Sequence, residues 1–287
     1  MSTDLVNAAA AMPAVPLTVE GASLLHQMVR VKWSAWRALP EERRKEIVEE
    51  ASKALVGMER GEGVGGQSAV YSMLGHKGDL MLVHFRRGFD GLKRAELELT
   101  RLSLWDYLET TTSYLSMVEL GLYESSAKTY QGLIEQGLQP GTSEWDAKVE
   151  EALDRHRRAM SPRLWPEIPG ARYLCFYPMD RRRGEDKNWY QVPMAERQRM
   201  MHEHGLVGRR YADRVKQVIS GSIGFDDWEW GVDLFAHDPL VFKRLIYEMR
   251  FDEVSAVYAL FGTFYIGVRV PAADLGEVFE GRLPELA

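Results

Sequence analysis

The chain has 287 residues, 45% hydrophobic and 27% charged, enough apolar material for one large or two ordinary domains. Its 36 basic residues against 42 acidic ones give a net charge of −6, the wrong sign for a surface that follows a phosphate backbone. A single cysteine, Cys175, excludes intramolecular disulfides and multi-cysteine metal or iron–sulfur centres. No apolar run reaches the roughly 18–20 residues of a membrane span. The N-terminus carries Ala8–Ala11 but also Asp4 and no basic n-region, so it does not read as a secretory leader. A soluble, cytoplasmic protein with neither a nucleic-acid partner nor a membrane span is expected.

In chain order, residues 1–21 read as a flexible arm punctuated by Pro13 and Pro16, with Leu24–Trp33 as the first strand. Pro40-Glu41-Glu42 opens a helix whose apolar stripe is Ile47, Ala51, Leu55 and Met58, and the Gly61–Gly66 cluster ends it. Ser68–Leu74 and Asp79–Arg86 are strands about the hairpin turn Gly75-His76-Lys77-Gly78. A helix with Leu92, Ala95, Leu99 and Leu102 on one face follows, then an aromatic strand from Tyr114 to Tyr123. The order over 22–123 is β-α-β-β-α-β.

Residues 124–170 read as a polar connection carrying one charged helix, Ser143–Arg158, and a loop with Pro162, Pro166 and Pro169. The order then repeats over 171–287. Arg172–Met179 is a strand, and Met194–His204 a helix with Gly205 as its cap. Val215–Gly221 and Trp228–Phe235 are strands about the turn Gly224–Asp227. Asp238–Arg250 is a helix with Val241, Phe242, Leu245, Ile246 and Met249 inward, and Thr263–Val270 is the last strand. The expectation is an α+β chain of tandem ferredoxin-like units pairing their sheets into one barrel with helices outside.

Candidate chemistry concentrates in the second half. His204 shares a helix face with Met200 and Met201, where a histidine is usually a satisfied core residue but can serve as the single axial ligand that a heme iron takes. The neighbouring sequence adds only Glu203, too little for a zinc site. Gln217 alternates with Val215 and Ile219, an uncharged amide on an apolar strand face that needs a hydrogen-bond partner or a ligand. Tyr177 leads into Arg181, Arg182 and Arg183, and Arg209, Arg210, Lys216 and Arg250 lie in the same half. That many cations in an acidic chain suit a small polyanion, because Arg takes carboxylates bidentately. Trp189, Trp228 and Trp230 are core or line a flat ligand. No P-loop, Rossmann fingerprint or Gly-x-Ser-x-Gly elbow occurs.

Tyr177-Pro-Met-Asp-Arg-Arg-Arg183 with Asn188-Trp189-Tyr190 resembles the coproheme decarboxylases of the chlorite dismutase superfamily. So do His204-Gly205 with Gly208-Arg209, Val215-Lys-Gln-Val-Ile-Ser-Gly-Ser222, Asp226-Asp-Trp-Glu-Trp-Gly-Val232 and Tyr247-Glu-Met-Arg-Phe-Asp-Glu-Val-Ser255. The first half agrees more loosely, through Gly75-His-Lys-Gly-Asp-Leu80 and Tyr114-Leu-Ser-Met-Val-Glu-Leu120.

The resemblance implies a homopentamer of two-unit barrels with iron coproporphyrin III, which is both substrate and redox centre, in the C-terminal unit. Hydrogen peroxide would drive oxidative decarboxylation of propionates 2 and 4, giving heme b and two carbon dioxide molecules in heme biosynthesis. A coproporphyrin ferrochelatase would be a transient partner. By the same resemblance His204 matches the proximal iron ligand, Gln217 the distal residue and Tyr177 the redox tyrosine. Met179, Arg209, Arg250 and Ser255 match porphyrin contacts, and Trp189 and Trp228 match pocket tryptophans. Arg181 replaces a more usual Lys; it keeps the charge but does not readily give up a proton. The alternatives are a chlorite dismutase, against which Gln217 stands in place of a distal Arg, a peroxidase-like heme enzyme, and a heme-binding protein without turnover.

Overall fold

The computed structural model describes residues 13–61 and 66–286. Most of the expected arm and the middle of the Gly61–Gly66 cluster lie outside the described residues. Strand β1 (Thr18–Val31) starts earlier than the apolar run suggested, and Trp33 opens a short helix, α1 (Trp33–Arg37), instead of ending the strand. Helix α2 (Glu41–Arg60) follows Pro40, has Glu41 and Glu42 in its first turn, and buries Ile47, Ala51, Leu55 and Met58. Strands β2 (Ser68–Leu74) and β3 (Leu80–Arg86) flank a turn in which Gly75 and His76 have φ of 90° and 60°. Helix α3 (Phe89–Thr100) and strand β4 (Leu108–Gly121) complete the first half.

The 124–170 stretch is more ordered than a polar connection with one helix. It holds α4 (Tyr123–Glu135), α5 (Ser143–Ala159) and α6 (Ser161–Leu164). Tyr130, Leu133 and Trp145 form their own small core, with Tyr130 and Trp145 stacked at 5.7 Å. The Thr142 hydroxyl caps α5 by accepting from the Trp145 N–H.

The second half comprises β5 (Tyr173–Arg181), α7 (Met194–Arg209), β6 (Lys216–Gly221), β7 (Trp230–Ala236) and α8 (Leu240–Met249). Helix α9 (Glu253–Tyr258), β8 (Ala259–Phe261), β9 (Tyr265–Val270) and α10 (Leu275–Phe279) close the chain. Helix α4 of the connection packs on α7. One expectation fails locally: α7 does not stop at Gly205 but runs on to Arg209, with Arg210 as the capping residue. Val207, two residues past the glycine, continues the buried face of Met200 and is buried itself. That burial outweighs the roughly 1 kcal/mol that a mid-helix glycine costs.

The strand order is β7-β6-β4-β1-β3-β2-β9-β5-β8, with β5 also pairing β7. The sheet is therefore a closed antiparallel barrel of eight strands, with β8 appended to β5. Each half contributes the ferredoxin-like order, β4-β1-β3-β2 from the first and β9-β5-β7-β6 from the second. The halves meet along β4–β6 (Met117 opposite Gly221) and β2–β9 (Val70 opposite Val270). Strand alternation then sorts the side chains. Leu24, Met28, Val83, Phe176 and Phe235 fill the barrel, whereas Val29, Leu82 and Val70 face α2 outside it. Cys175, Tyr177, Val232 and Leu234 face α7 and α8.

Candidate functional site

Strand β5 carries Cys175, Tyr177, Met179 and Arg181 on its outer face, while Leu174 and Phe176 point into the barrel. Tyr177 is 4% exposed, its ring stacked on Phe264 at 4.6 Å and tilted against Phe261 at 5.7 Å. Burial pushes the Tyr177 phenol well above the ordinary tyrosine range, against the pull of Arg250 and Arg181. Arg181 is 9% exposed. Its backbone N–H donates to Glu229 Oε2 (3.1 Å), Nη2 approaches the Met201 sulfur (3.8 Å), and the guanidinium lies 5.2 Å over the Trp189 ring. Its Nη1 is buried with no partner among the described residues.

Helix α7 crosses this face and carries His204, a quarter exposed, whose Nδ1 lies 3.1 Å from Asp252 Oδ2. Asp252 caps α9: its Oδ1 accepts from the Ser255 N–H (3.0 Å) and its Oδ2 from the Ser255 hydroxyl (3.0 Å). Burial raises the Asp252 carboxyl, but the hydrogen bonds from His204 and Ser255 outweigh it and leave the group below its ordinary pKa. A carboxylate that accepts from Nδ1–H sets the tautomer and leaves Nε2 with its lone pair free, the arrangement that metal-binding histidines use.

One turn on, Gly208 faces Gln217 of β6, and a Cβ there would lie 3.6 Å from Gln217 Nε2 and 3.5 Å from the Met249 methyl. Gln217 stands opposite Leu234 in the ladder, on the same outer face. Arg250, at the end of α8, lies 3.8 Å over the Phe261 ring, one aromatic layer from Tyr177. Arg209 is exposed at the end of α7.

His204, Gln217, Tyr177, Met179, Arg181, Arg250 and Ser255 thus converge between α7, α8, α9 and the outer face of the sheet, with Trp189 beneath Arg181. Trp228 does not join them. It packs against the barrel-interior core, where a Cβ on Gly262 would come within 3.1 Å of its ring. The arrangement offers an imidazole held at Nδ1, an amide on the strand that Gly208 of the same helix approaches, a buried phenol and cations along one edge. That set fits a flat, metal-bearing polyanion: the imidazole suits iron, and the orphaned Arg181 Nη1 suits a carboxylate.

The sequence model of the chlorite dismutase family matches residues 44–270. The chain belongs to the chlorite dismutase family. Its relatives include the coproheme decarboxylase of Staphylococcus saprophyticus, 41% identical over 93% of this chain and 99% of that protein. A candidate heme-binding protein of Haloquadratum walsbyi is 44% identical over 94% of this chain, which spans only 48% of that protein's length. Among solved structures, a heme-binding protein from Thermus thermophilus superposes with a TM-score of 0.78 at 38% identity, covering 93% of this chain and 98% of that one. A variant chlorite dismutase from Candidatus Nitrospira defluvii, at 17% identity and a TM-score of 0.65 over 91% of this chain and 95% of that one, shares the fold.

Sequence reasoning missed Asp252 and Glu229. Asp252 carried a signal, since an Asp three residues before a Ser is a helix-capping pattern. Its pairing with His204, 48 residues away, had none. Glu229, 7% exposed, holds the Arg181 backbone and pairs with Arg183 at 3.4 Å.

Proposed function

We propose that this chain takes iron coproporphyrin III as substrate and, with hydrogen peroxide, converts the propionates at positions 2 and 4 to vinyl groups, releasing heme b and two carbon dioxide molecules. The observation that carries the reading is the β5 edge, where the buried Tyr177 phenol, packed against aromatic rings, shares a strand face with a guanidinium whose Nη1 meets no acceptor among the described residues. Binding alone uses the guanidinium but has no need of the phenol.

His204 Nε2 would hold the iron, with Asp252, fastened by Ser255, orienting the ring. Gln217 and Met179 would contact the porphyrin, and Arg181, Arg209 and Arg250 would receive its propionates. Trp189 supports Arg181; Trp228, on the barrel side, has no part in it. The iron supplies the oxidising power once peroxide reaches it. Each propionate gives up two electrons, one proton and carbon dioxide on becoming a vinyl group, and the two electrons match those that one peroxide takes up in becoming water. Tyr177 is the relay. Burial keeps its phenol protonated, so it would give proton and electron together to the reduction of peroxide to water and be restored by a hydrogen atom from the propionate chain. The carbon radical left there gives up the second electron as carbon dioxide departs.

Purified protein mixed with iron coproporphyrin III and titrated with peroxide is expected to lose two carboxyl groups by mass. Tight binding without any mass loss would overturn the activity and leave a heme-binding protein, the reading that the names of other relatives favour. A distal amide instead of a guanidinium speaks against chlorite as substrate. The assembly is expected to be a homopentamer in the cytoplasm, with coproporphyrin ferrochelatase as transient supplier of the substrate. No described helix is long and apolar enough to cross a membrane.

A further inference from the structure

Helix α7 carries a second buried arginine, about two turns before His204. Arg197 is 4% exposed, its Nη2 donates to the Ala14 carbonyl, and its Nε is buried with no partner among the described residues. No carboxylate reaches it among the described residues. Met201, four residues on and so on the same helix face, is the residue whose sulfur meets Arg181 Nη2. Arg181 is the other buried guanidinium with an orphaned nitrogen.

Tyr123, the first residue of α4, packs with Met201 against Trp189 and Met200; burial raises its phenol, while Arg181, a hydrogen bond with Trp189 and then Arg197 pull it back down. Its ring is 6.2 Å from that of Trp189. The acids nearby are engaged elsewhere. Asp252 is held by His204 and Ser255, Glu229 by the Arg181 backbone and Arg183, and Glu119 by the Trp230 side chain. Asp252 and Glu229 act on Arg181 only through space, so each guanidinium still buries one nitrogen that no described acceptor meets; that is costly, and a bound anion removes the cost.

We propose that Arg197 and Arg181 together form a carboxylate site beside Tyr123 and Trp189. A propionate of the porphyrin or a small free carboxylate has the required chemistry, and only the first source rests on the function proposed above.

The test uses the full chain and two measurements, on wild type and on Arg197→Gln. In the first, thermal unfolding without porphyrin is compared in sodium acetate and in sodium chloride at equal ionic strength. Acetate is expected to raise the midpoint of wild type, and Arg197→Gln to abolish the difference. In the second, Soret titrations compare iron coproporphyrin III with its tetramethyl ester. If a propionate fills the site, Arg197→Gln weakens the tetracarboxylate about tenfold and leaves the ester unchanged. If a small carboxylate fills it, the acetate response is lost while both porphyrins bind as before. Wild-type acetate response together with wild-type porphyrin affinity in Arg197→Gln would overturn the site and leave Arg197 as a fastening for Ala14. Should that variant not fold, Arg197→Lys keeps the charge without the bidentate fork. It is expected to show a reduced acetate shift, and an undiminished one would overturn the proposal. Neither measurement needs turnover, so failure of the proposed activity and failure of this site are read separately.

Discussion

Two side chains divide the proposed chemistry between holding and reacting. Tyr177 is packed by Phe261 and Phe264, so Tyr177→Phe removes one hydroxyl and leaves the aromatic stack in place. Porphyrin affinity is expected to stay within a few-fold, while vinyl product falls almost to nothing, because a phenyl ring has no proton to lose with its electron. Full conversion by that variant would remove Tyr177 from the mechanism and leave the porphyrin site standing. Asp252 acts one atom further from the iron. Asp252→Asn keeps an acceptor for His204 Nδ1–H but removes the charge that makes the imidazole a stronger donor. A drop of roughly 10–100-fold in iron-porphyrin affinity is expected. A lower iron–histidine stretching frequency should accompany it, a signature that loss of packing alone does not give.

At the scale of elements, the close approach of α7 to β6 defines the width available to a flat ligand. A Cβ on Gly208 meets only ordinary contacts, at 3.5 Å and 3.6 Å. Gly208→Ala should therefore raise the thermal midpoint, since alanine is about 1 kcal/mol better than glycine in a helix, and leave porphyrin affinity nearly unchanged. Gly208→Leu keeps the propensity but extends toward Gln217 and Met249, so porphyrin affinity should fall while the protein stays folded. Equal affinities for the two variants would mean that the ligand does not pass between Gly208 and Gln217. The same helix marks the limit of what the sequence made legible. The stripes of α2 and α8 were legible because each helix has one apolar face against the sheet. Helix α7 has few apolar residues and buries Arg197 among them, so its periodicity fades at Gly205 although the helix does not. Helix α4 escaped sequence reading because its inward residues, Ser126, Tyr130 and Leu133, are mostly not aliphatic. Individual site residues were legible through motif resemblance, whereas Trp228 faces the barrel side for a reason that only the Gly262 contact reveals.

Across the whole molecule, the two halves are joined by two strand seams and by a buried pair, His26 Nε2 to Asp233 Oδ1 at 2.8 Å, both fully buried. His26 also stacks on Phe176 at 4.0 Å, so the first half presses on the strand that carries Tyr177. A second buried histidine makes the fold sensitive to acid. His84 is fully buried on β3; its Nδ1 lies 2.8 Å from the Ser68 hydroxyl, and its Nε2 has no partner among the described residues. The Ser68 oxygen already accepts from Arg86, so its own proton is free to go to Nδ1, which favours the neutral ring. Burial, then the Arg86 and His26 charges, lower the His84 pKa from 6.5 to about 3. As pH falls through 6.5 the unfolded chain takes up a proton at this residue that the folded protein refuses. The contribution is thus fully present above 6.5 and lost progressively between 6.5 and about 3, on the order of a few kcal/mol over the whole window. His84→Gln can keep the bond to Ser68 and does not titrate. Its urea midpoint at pH 7 should be lower than that of wild type, because the amide fits the imidazole site imperfectly, yet it should decline less steeply from pH 7 to about pH 4.5. Parallel decline of the two proteins would place the acid-sensitive group elsewhere.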